Sequence, residues 1–330
     1  MNSSQAEPAR LPLSEALCVV TGATSGIGLA TALALARLGA TLTLVGRDGG
    51  RIAAALALVA PEAERAGAPP PRGEMADFAS MREVAALAGR LATGRRLDLL
   101  VNCAGVFLPR RRLGPEGLET QFAVNHLAPF LLTTSLLPLL EAAPSARVLM
   151  VSSASHRQGR IRWRDPSMRR FYFGLWAYEQ AKLANLLFSY ELARRLGPSS
   201  PVSVYAFDPG LVDTAVGQKE AAGPSGLFWR LRRRWGTSPE LPAAALAELA
   251  SSAAFAGRTG LYWKEGRALP SSPASRSLAD ATRLWELSEK LVAEALGGRA
   301  WTARGAPRPR TEPARTARGA PPSPEPFSGP

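Results

Sequence analysis

The chain has 330 residues, 46% of them hydrophobic, and its 40 Lys and Arg exceed 27 Asp and Glu to give a formal net charge of +13. That apolar content excludes a wholly disordered chain, and two Cys exclude a disulfide-stapled scaffold. The basic excess alone supports only non-specific, salt-sensitive attraction to anionic partners.

Residues 1–13 form a polar, Pro-containing arm, and no run reaches the roughly 18 apolar residues of a membrane span. With no signal peptide and no transmembrane helix, the expectation is a cytoplasmic protein, soluble or peripheral to a membrane. Apolar strands fall near residues 17–21, 41–45, 72–76, 98–101, 146–151, 202–207 and 260–263. Helical periodicity occupies 26–38, 50–60, 80–92, 117–141, 176–196, 240–255 and 276–296. This alternation predicts an α/β fold, a doubly wound and mainly parallel Rossmann-like sheet in one domain over residues 14–297. Residues 298–330, dense in Pro, Gly, Arg and Ser, bury too little apolar surface to offset ordering entropy and are expected to be disordered.

The first apolar run ends in Thr21-Gly22, and a helical pattern opens near Ser25. A strand, a glycine turn and a helix N-terminus in that order suit a dinucleotide. Gly22 allows the turn, Gly26 lets backbone approach the pyrophosphate, and Gly28 lets the helix pack on the sheet. Free N–H groups at the helix start receive the phosphates. The second strand ends at Gly46-Arg47. Enzymes that bind NAD place an acid there, whereas a cation suits the 2′-phosphate of NADP. Arg47 therefore favours NADP(H) over NAD(H); the alternative is a solvated Arg neutralised by Asp48.

Tyr178 and Lys182 lie four residues apart in a helical stretch, so phenol and ammonium project from one face. A neighbouring cation favours phenolate, which suits general acid–base work on a carbinol or carbonyl. The two His and two Cys have no metal-ligand spacing.

The spacing T-G-x-x-x-G-x-G, the Asn102-Cys103-Ala104-Gly105 segment, Asn125, Ser153, the Tyr178/Lys182 pair and Asp208-Pro209-Gly210-Leu211-Val212-Asp213-Thr214 together resemble the short-chain dehydrogenase/reductase family. The resemblance runs over residues 14–295 and is nearest the retinol dehydrogenase-like branch, which shares the long gap of 25 residues between Ser153 and Tyr178. It implies hydride transfer between an NADP(H) cofactor and an alcohol or carbonyl substrate, on lipophilic molecules in that branch. It gives Tyr178 the proton, Lys182 the pKa shift and the nicotinamide ribose, and Ser153 rather than Ser152 the substrate oxygen. Asn125 would anchor a water near Lys182. Thr24, Ser25, Ile27, Asn102, Ala104, Gly105, Pro209, Gly210, Val212 and Thr214 join the glycines and Arg47 as cofactor-binding residues. Asp77 would bind adenine, cap a helix, or both; His126 is read as structural.

Cys103 stands where the family has a second Asn, and Asp208 where it has His or Asn. Three basic clusters stand out, Arg110–Arg112, Arg162–Arg170 and Arg230–Arg234. The last lies in the expected substrate lid near 215–240, whose basic-aromatic pattern would cover substrate or touch an anionic membrane. The resemblance implies a homo-oligomer paired through helices 117–141 and 176–196, and no specific nucleic-acid partner is expected. The competing function is a low-turnover NADP-binding scaffold or redox sensor.

Overall fold

A computed structural model of the chain describes residues 13–212 and 236–298. The N-terminal arm, Thr214, the basic cluster at Arg230–Arg234 with most of the expected lid, and the tail from residue 299 lie outside the described residues.

Eight strands make one sheet in the order β3-β2-β1-β4-β5-β6-β7-β8. They are β1 Leu17–Thr21, β2 Thr41–Gly46, β3 Arg72–Met75, β4 Leu99–Asn102, β5 Ala146–Val151, β6 Val202–Asp208, β7 Leu261–Lys264 and β8 Arg267–Leu269. The first seven are parallel, and β8 returns antiparallel on β7. The strand order reverses between β1 and β4, so a crevice opens where their loops diverge. The sequence reading contains no β8. Its three residues are all exposed and carry no hydrophobic alternation. The local signal is Glu265-Gly266, whose φ values of 49° and 70° turn β7 back on itself.

Because helices cover both faces, β4, β5 and β6 are buried at every position. Neighbouring residues take opposite sides: Val19 packs into one apolar cluster and Val20 into the other. Helices α1 Gly26–Arg37, α2 Gly49–Arg65 and α6 Glu240–Ser251 lie on one face. On the other are α3 Met81–Leu91, α4 Thr120–Glu141, α5 Gly174–Leu196 and α7 Leu278–Ala295. Helix α2 runs past Pro61, where the sequence reading stops, because Ala63 is buried and Glu62 bridges Arg37 and Arg65.

By length and composition α4 is the one described helix able to cross a membrane, yet 83% of its most apolar stretch is buried. Its apolarity is that of a core helix. Both α4 and α5, expected to pair between copies, are packed by α7 of the same chain. Trp285 of α7 meets Phe130 of α4 at 5.1 Å between ring centroids and Phe188 of α5 at 5.7 Å, and the Arg195 guanidinium lies over the Trp285 ring at 4.1 Å. Pairing of two copies would have to use surface that α7 leaves open. His126 sits in this core, fully buried, its Nε2 2.8 Å from Ser288 Oγ, and burial pushes its pKa down to about 3. It is a neutral packing residue.

Replacing Trp285 with Ala is expected to cost about 3–5 kcal/mol, the range for large-to-small changes in a core. Chemical denaturation would measure it; a loss below about 1 kcal/mol would show that α7 is not integral to the core.

Candidate active site

Along the carboxyl ends of the strands runs a cleft of about 1010 Å³. Its floor is the β1–α1 loop, where Thr24, Ser25, Gly26, Ile27 and Gly28 line it with Gly22. Gly22 has φ +67°, and a Cβ there would lie 2.8 Å from Ala104 Cα. A Cβ on Gly28 would lie 2.3 Å from the Gly22 carbonyl oxygen. Gly26, at φ +53°, is the third position that a side chain would strain. The first turn of α1 holds no acid, so its N–H groups and positive dipole end face the cleft uncompensated.

At one end the cleft reaches β2. A Cβ on Gly46 would meet Thr24 Cγ2 at 2.6 Å, so packing leaves little room for an acid at that position. Arg47, Asp48 and Arg51 line this end. The Asp48 carboxylate caps α2, accepting the Arg51 N–H at 2.8 Å. Arg51 is absent from the sequence reading, although it stands four residues after Arg47, in the first turn of α2, and offers a second guanidinium. Asp77 lines the cleft, but it does not cap α3. Ser80 does, accepting the Glu83 N–H, while Asp77 Oδ1 accepts the Ala79 N–H at 3.0 Å in a local turn.

At the other end Ser153, Tyr178 and Lys182 share one wall. Ser153 follows β5 and its Oγ accepts the Ser155 N–H at 3.2 Å. The Ser152 hydroxyl is buried and donates to the Lys182 carbonyl at 3.0 Å, tying β5 to α5. The Lys182 ammonium lies 5.5 Å from the centre of the Tyr178 ring and donates to the Val151 carbonyl at 3.1 Å. Burial lowers its pKa to about 8, against the opposing effects of Cys103 and Asp208. Burial also holds the Cys103 thiol up at about 12, so at neutral pH that thiol is uncharged and Asp208 is the charge that sustains the ammonium.

Two expected site residues do not line the cleft. Asn125 is 1% exposed, in a π-type turn of α4 at Ala123–Leu127. Its Oδ1 accepts the Val106 N–H at 2.7 Å and its Nδ2 donates to the Val106 carbonyl at 2.9 Å. It stands behind Gly105, where a Cβ would come within 3.2 Å of Asn125 Oδ1 and 3.9 Å of Lys182 Nζ. Asn102 also turns away, donating from Nδ2 to Thr133 Oγ1 at 3.0 Å on α4. Cys103, Ala104 and Gly105 do line the cleft, as do Pro209, Gly210 and Val212 after β6.

Residues 16–224 match the short chain dehydrogenase family. The chain belongs to that family. It is 36% identical over 286 residues to retinol dehydrogenase 14 of Mus musculus, a match covering 83% of this chain and 85% of that protein. A Streptomyces sp. (strain C5) protein named for daunorubicin C-13 ketoreduction is 36% identical over 281 residues, 84% of this chain and 92% of its own. An Escherichia coli CFT073 structure, described as a short chain dehydrogenase complexed with NADPH, superposes with a TM-score of 0.59 at 25% identity, covering 78% of this chain and 98% of that one. This short-chain dehydrogenase is accordingly an oxidoreductase acting on CH–OH groups with a nicotinamide cofactor. The glycine floor, which side chains would fill, and the acid-free start of α1 fit a dinucleotide.

In this dehydrogenase the sequence departure at Asp208 is a buried junction. Asp208, 2% exposed, accepts the Gly210 N–H on Oδ1 at 2.9 Å and the Tyr262 hydroxyl on Oδ2 at 2.6 Å. The first bond fixes the turn in which Gly210 takes φ +73°. His156, fully buried, receives the Ser272 N–H on Nε2 at 3.2 Å, so its Nδ1 proton points at the Ser153 carbonyl 2.8 Å away. Burial lowers its pKa and keeps it neutral. Tyr262 stacks edge-on against His156 at 5.0 Å. Sequence reasoning missed this network because its partners are 54 and 116 residues apart.

Tyr262→Phe removes the donor from a buried carboxylate oxygen and is expected to lower stability by about 1–3 kcal/mol. Denaturant melts of the variant check it; a midpoint equal to wild type would show that Asp208 Oδ2 finds another donor.

Proposed function

We propose that this dehydrogenase interconverts a lipophilic alcohol with its aldehyde or ketone, using NADP(H). The observation that carries the reading is the convergence of Ser153, Tyr178 and Lys182 on one wall of a cleft whose far end holds Arg47 and Arg51. The cofactor, when bound, supplies or takes up the hydride. Tyr178 gives its phenolic proton to the oxygen of a carbonyl substrate, or removes it from an alcohol. The Lys182 ammonium stabilises the phenolate left behind. The Ser153 hydroxyl donates to the same substrate oxygen as it gains charge. Asn125 acts one layer back, holding the Gly105–Val106 backbone against Lys182, and is a positioning residue. His156 holds the Ser153 carbonyl in the same sense.

NADP(H) is supported by two guanidinium groups at the β2 end, by an Asp48 carboxylate engaged in capping α2, and by the packing that leaves no acid at Gly46. The lipophilic substrate is supported by relatives named for retinol and for a polycyclic ketone. Phe107, edge-on to Tyr178 at 5.9 Å, and Leu175 give the reaction end apolar lining. Two unpaired thiols fit a reducing compartment such as the cytoplasm.

The decisive experiment follows loss of reduced-nicotinamide absorbance for wild type and Tyr178→Phe with NADPH and a panel of hydrophobic aldehydes and ketones. Wild type is expected to turn over, and the variant to lose about 10²–10⁴-fold; equal rates would remove Tyr178 from the chemistry. The double variant Arg47→Ala/Arg51→Ala should raise KM for NADPH by about tenfold or more and leave KM for NADH nearly unchanged. Equal effects on both cofactors would refute the NADP preference. Carbonyl reduction should fall as pH rises through about 8, where the free enzyme's Lys182 loses its proton. A rate still rising at pH 9 would contradict that assignment.

A further inference from the structure

Two of the basic clusters visible in the sequence meet on one rim of the cleft. Arg111 Nε donates to the Ser167 carbonyl at 2.9 Å, which fastens residues 110–112 to the loop that precedes α5. From Arg157 to Trp176 the chain carries six Arg and a single acid, Asp165. Asp165 is turned onto the loop itself, accepting the Arg170 N–H at 3.1 Å. Arg160, Arg162, Arg164, Arg169 and Arg170 are all exposed.

Amid these cations, Phe171, Phe173 and Trp176 are 67%, 48% and 42% exposed. They form one patch, with Trp176 at 5.7 Å from Phe171 and 5.4 Å from Phe173 between ring centroids. The Arg162 guanidinium lies over Trp176 at 4.9 Å. The patch adjoins the mouth of the cleft. Helix α5 begins at Gly174, whose missing Cβ would lie 2.4 Å from the Leu108 carbonyl, and Leu175 and Tyr178 in its first turns line the cleft. Arg112 and the 52% exposed Leu113 line the cleft as well.

We infer that this rim docks the enzyme on an anionic membrane surface, its rings in the headgroup layer and its guanidinium groups on lipid phosphates. Exposed clustered rings signal a partner, and rings bordered by cations match an interface that is apolar beneath and anionic above. A second copy of the chain fits poorly, because two-fold pairing of the patch would set Arg against Arg. A single nucleic-acid strand fits poorly too. The rings meet at interplanar angles of 52° and 77°, and Arg162 occupies one face of Trp176, so there is no open parallel platform for bases. The surface takes its purpose, delivery of substrate from a bilayer, from the lipophilic-substrate reading, while its binding can be measured without turnover.

The full chain is sedimented with vesicles of phosphatidylcholine alone and of an equal mixture with phosphatidylserine, at low salt and at about 0.5 M salt. Wild type is expected to partition about tenfold or more onto the anionic vesicles, and salt to weaken it. Phe171→Ser/Phe173→Ser and Arg169→Glu/Arg170→Glu should each lose about tenfold in partitioning, with thermal melts confirming that both fold. Wild type that ignores anionic vesicles, or variants that bind as wild type does, would overturn the inference. So would vesicle indifference coupled to variant-sensitive binding of a single-stranded oligonucleotide, or to a dimer that the same variants dissociate. An enzyme inactive on every hydrophobic carbonyl but bound to anionic vesicles would sink the substrate reading and leave the docking surface standing.

Discussion

Everything in this site hangs from the seam where β1 and β4 lie side by side and their loops part. Parallel strands place both loop starts at the same edge, and the chains must nearly touch before diverging. Gly22 makes that contact possible: its absent Cβ would sit 2.8 Å from Ala104 Cα. The Thr21 hydroxyl closes the seam, accepting the N–H groups of Cys103 at 3.0 Å and Ala104 at 3.1 Å. Gly28 then brings α1 onto the Gly22 carbonyl. From there the ladder carries position outward. Asn102 is in register with Met150, and Val151 with Phe207, so the loops bearing Ser153 and Pro209 open at matched heights. A side chain at residue 22 would force these loops apart and carry the two ends of the cleft with them.

What the sequence revealed and what it hid divide along a physical line. Backbone requirements were legible. A glycine is needed where φ is positive or chains touch, and apolar runs are needed where strands are buried on both faces, so the glycine loop and seven strands could be read locally. Side-chain direction was not legible. Asn102 and Asn125 carry the right identities at the right spacing, yet one faces Thr133 and the other the Val106 backbone, because the packing of α4 decides where they point. The choice between Ser152 and Ser153 is likewise a matter of pleat, which sends one hydroxyl inward to α5 and leaves the next at the cleft. Strand β8 escaped because three exposed residues bury nothing that would leave a pattern.

The two departures from the family pattern make more sense together than apart. A neutral thiol at Cys103 contributes no charge beside Lys182, and the buried ammonium would otherwise lose its proton more readily. Asp208 lies in the same pocket, and its buried carboxyl receives a hydrogen bond from each of Gly210 and Tyr262. The junction also does mechanical work. Tyr262 belongs to β7, and the hairpin to β8 leads the chain on to Ser272, which orients His156 and through it the backbone of Ser153. The edge of the sheet thus braces two walls of the reaction end at once.

Charge is distributed in this molecule by depth. Beside Tyr178, Lys182 and Asp208 are buried and each is hydrogen-bonded, where the local dielectric is low and electrostatic interactions are strong. Exposed arginines sit where water screens them and their long stems can lie over aromatic rings, as Arg162 does on Trp176, whereas the buried Arg147 of β5 gives its guanidinium to the Leu249 and Ser252 carbonyls. The cleft itself carries ionisable groups at both ends, Arg47 and Arg51 beside β2 and Lys182 and Asp208 beside β5 and β6. Among the described residues, backbone carbonyls hold several cations near this end of the cleft: Ser167 holds Arg111, Pro270 holds Arg157, and Val151 holds the ammonium of Lys182. A basic surface and a reaction end with few charges are therefore compatible in a single fold, because backbone carbonyls tie cations down where they approach the cleft.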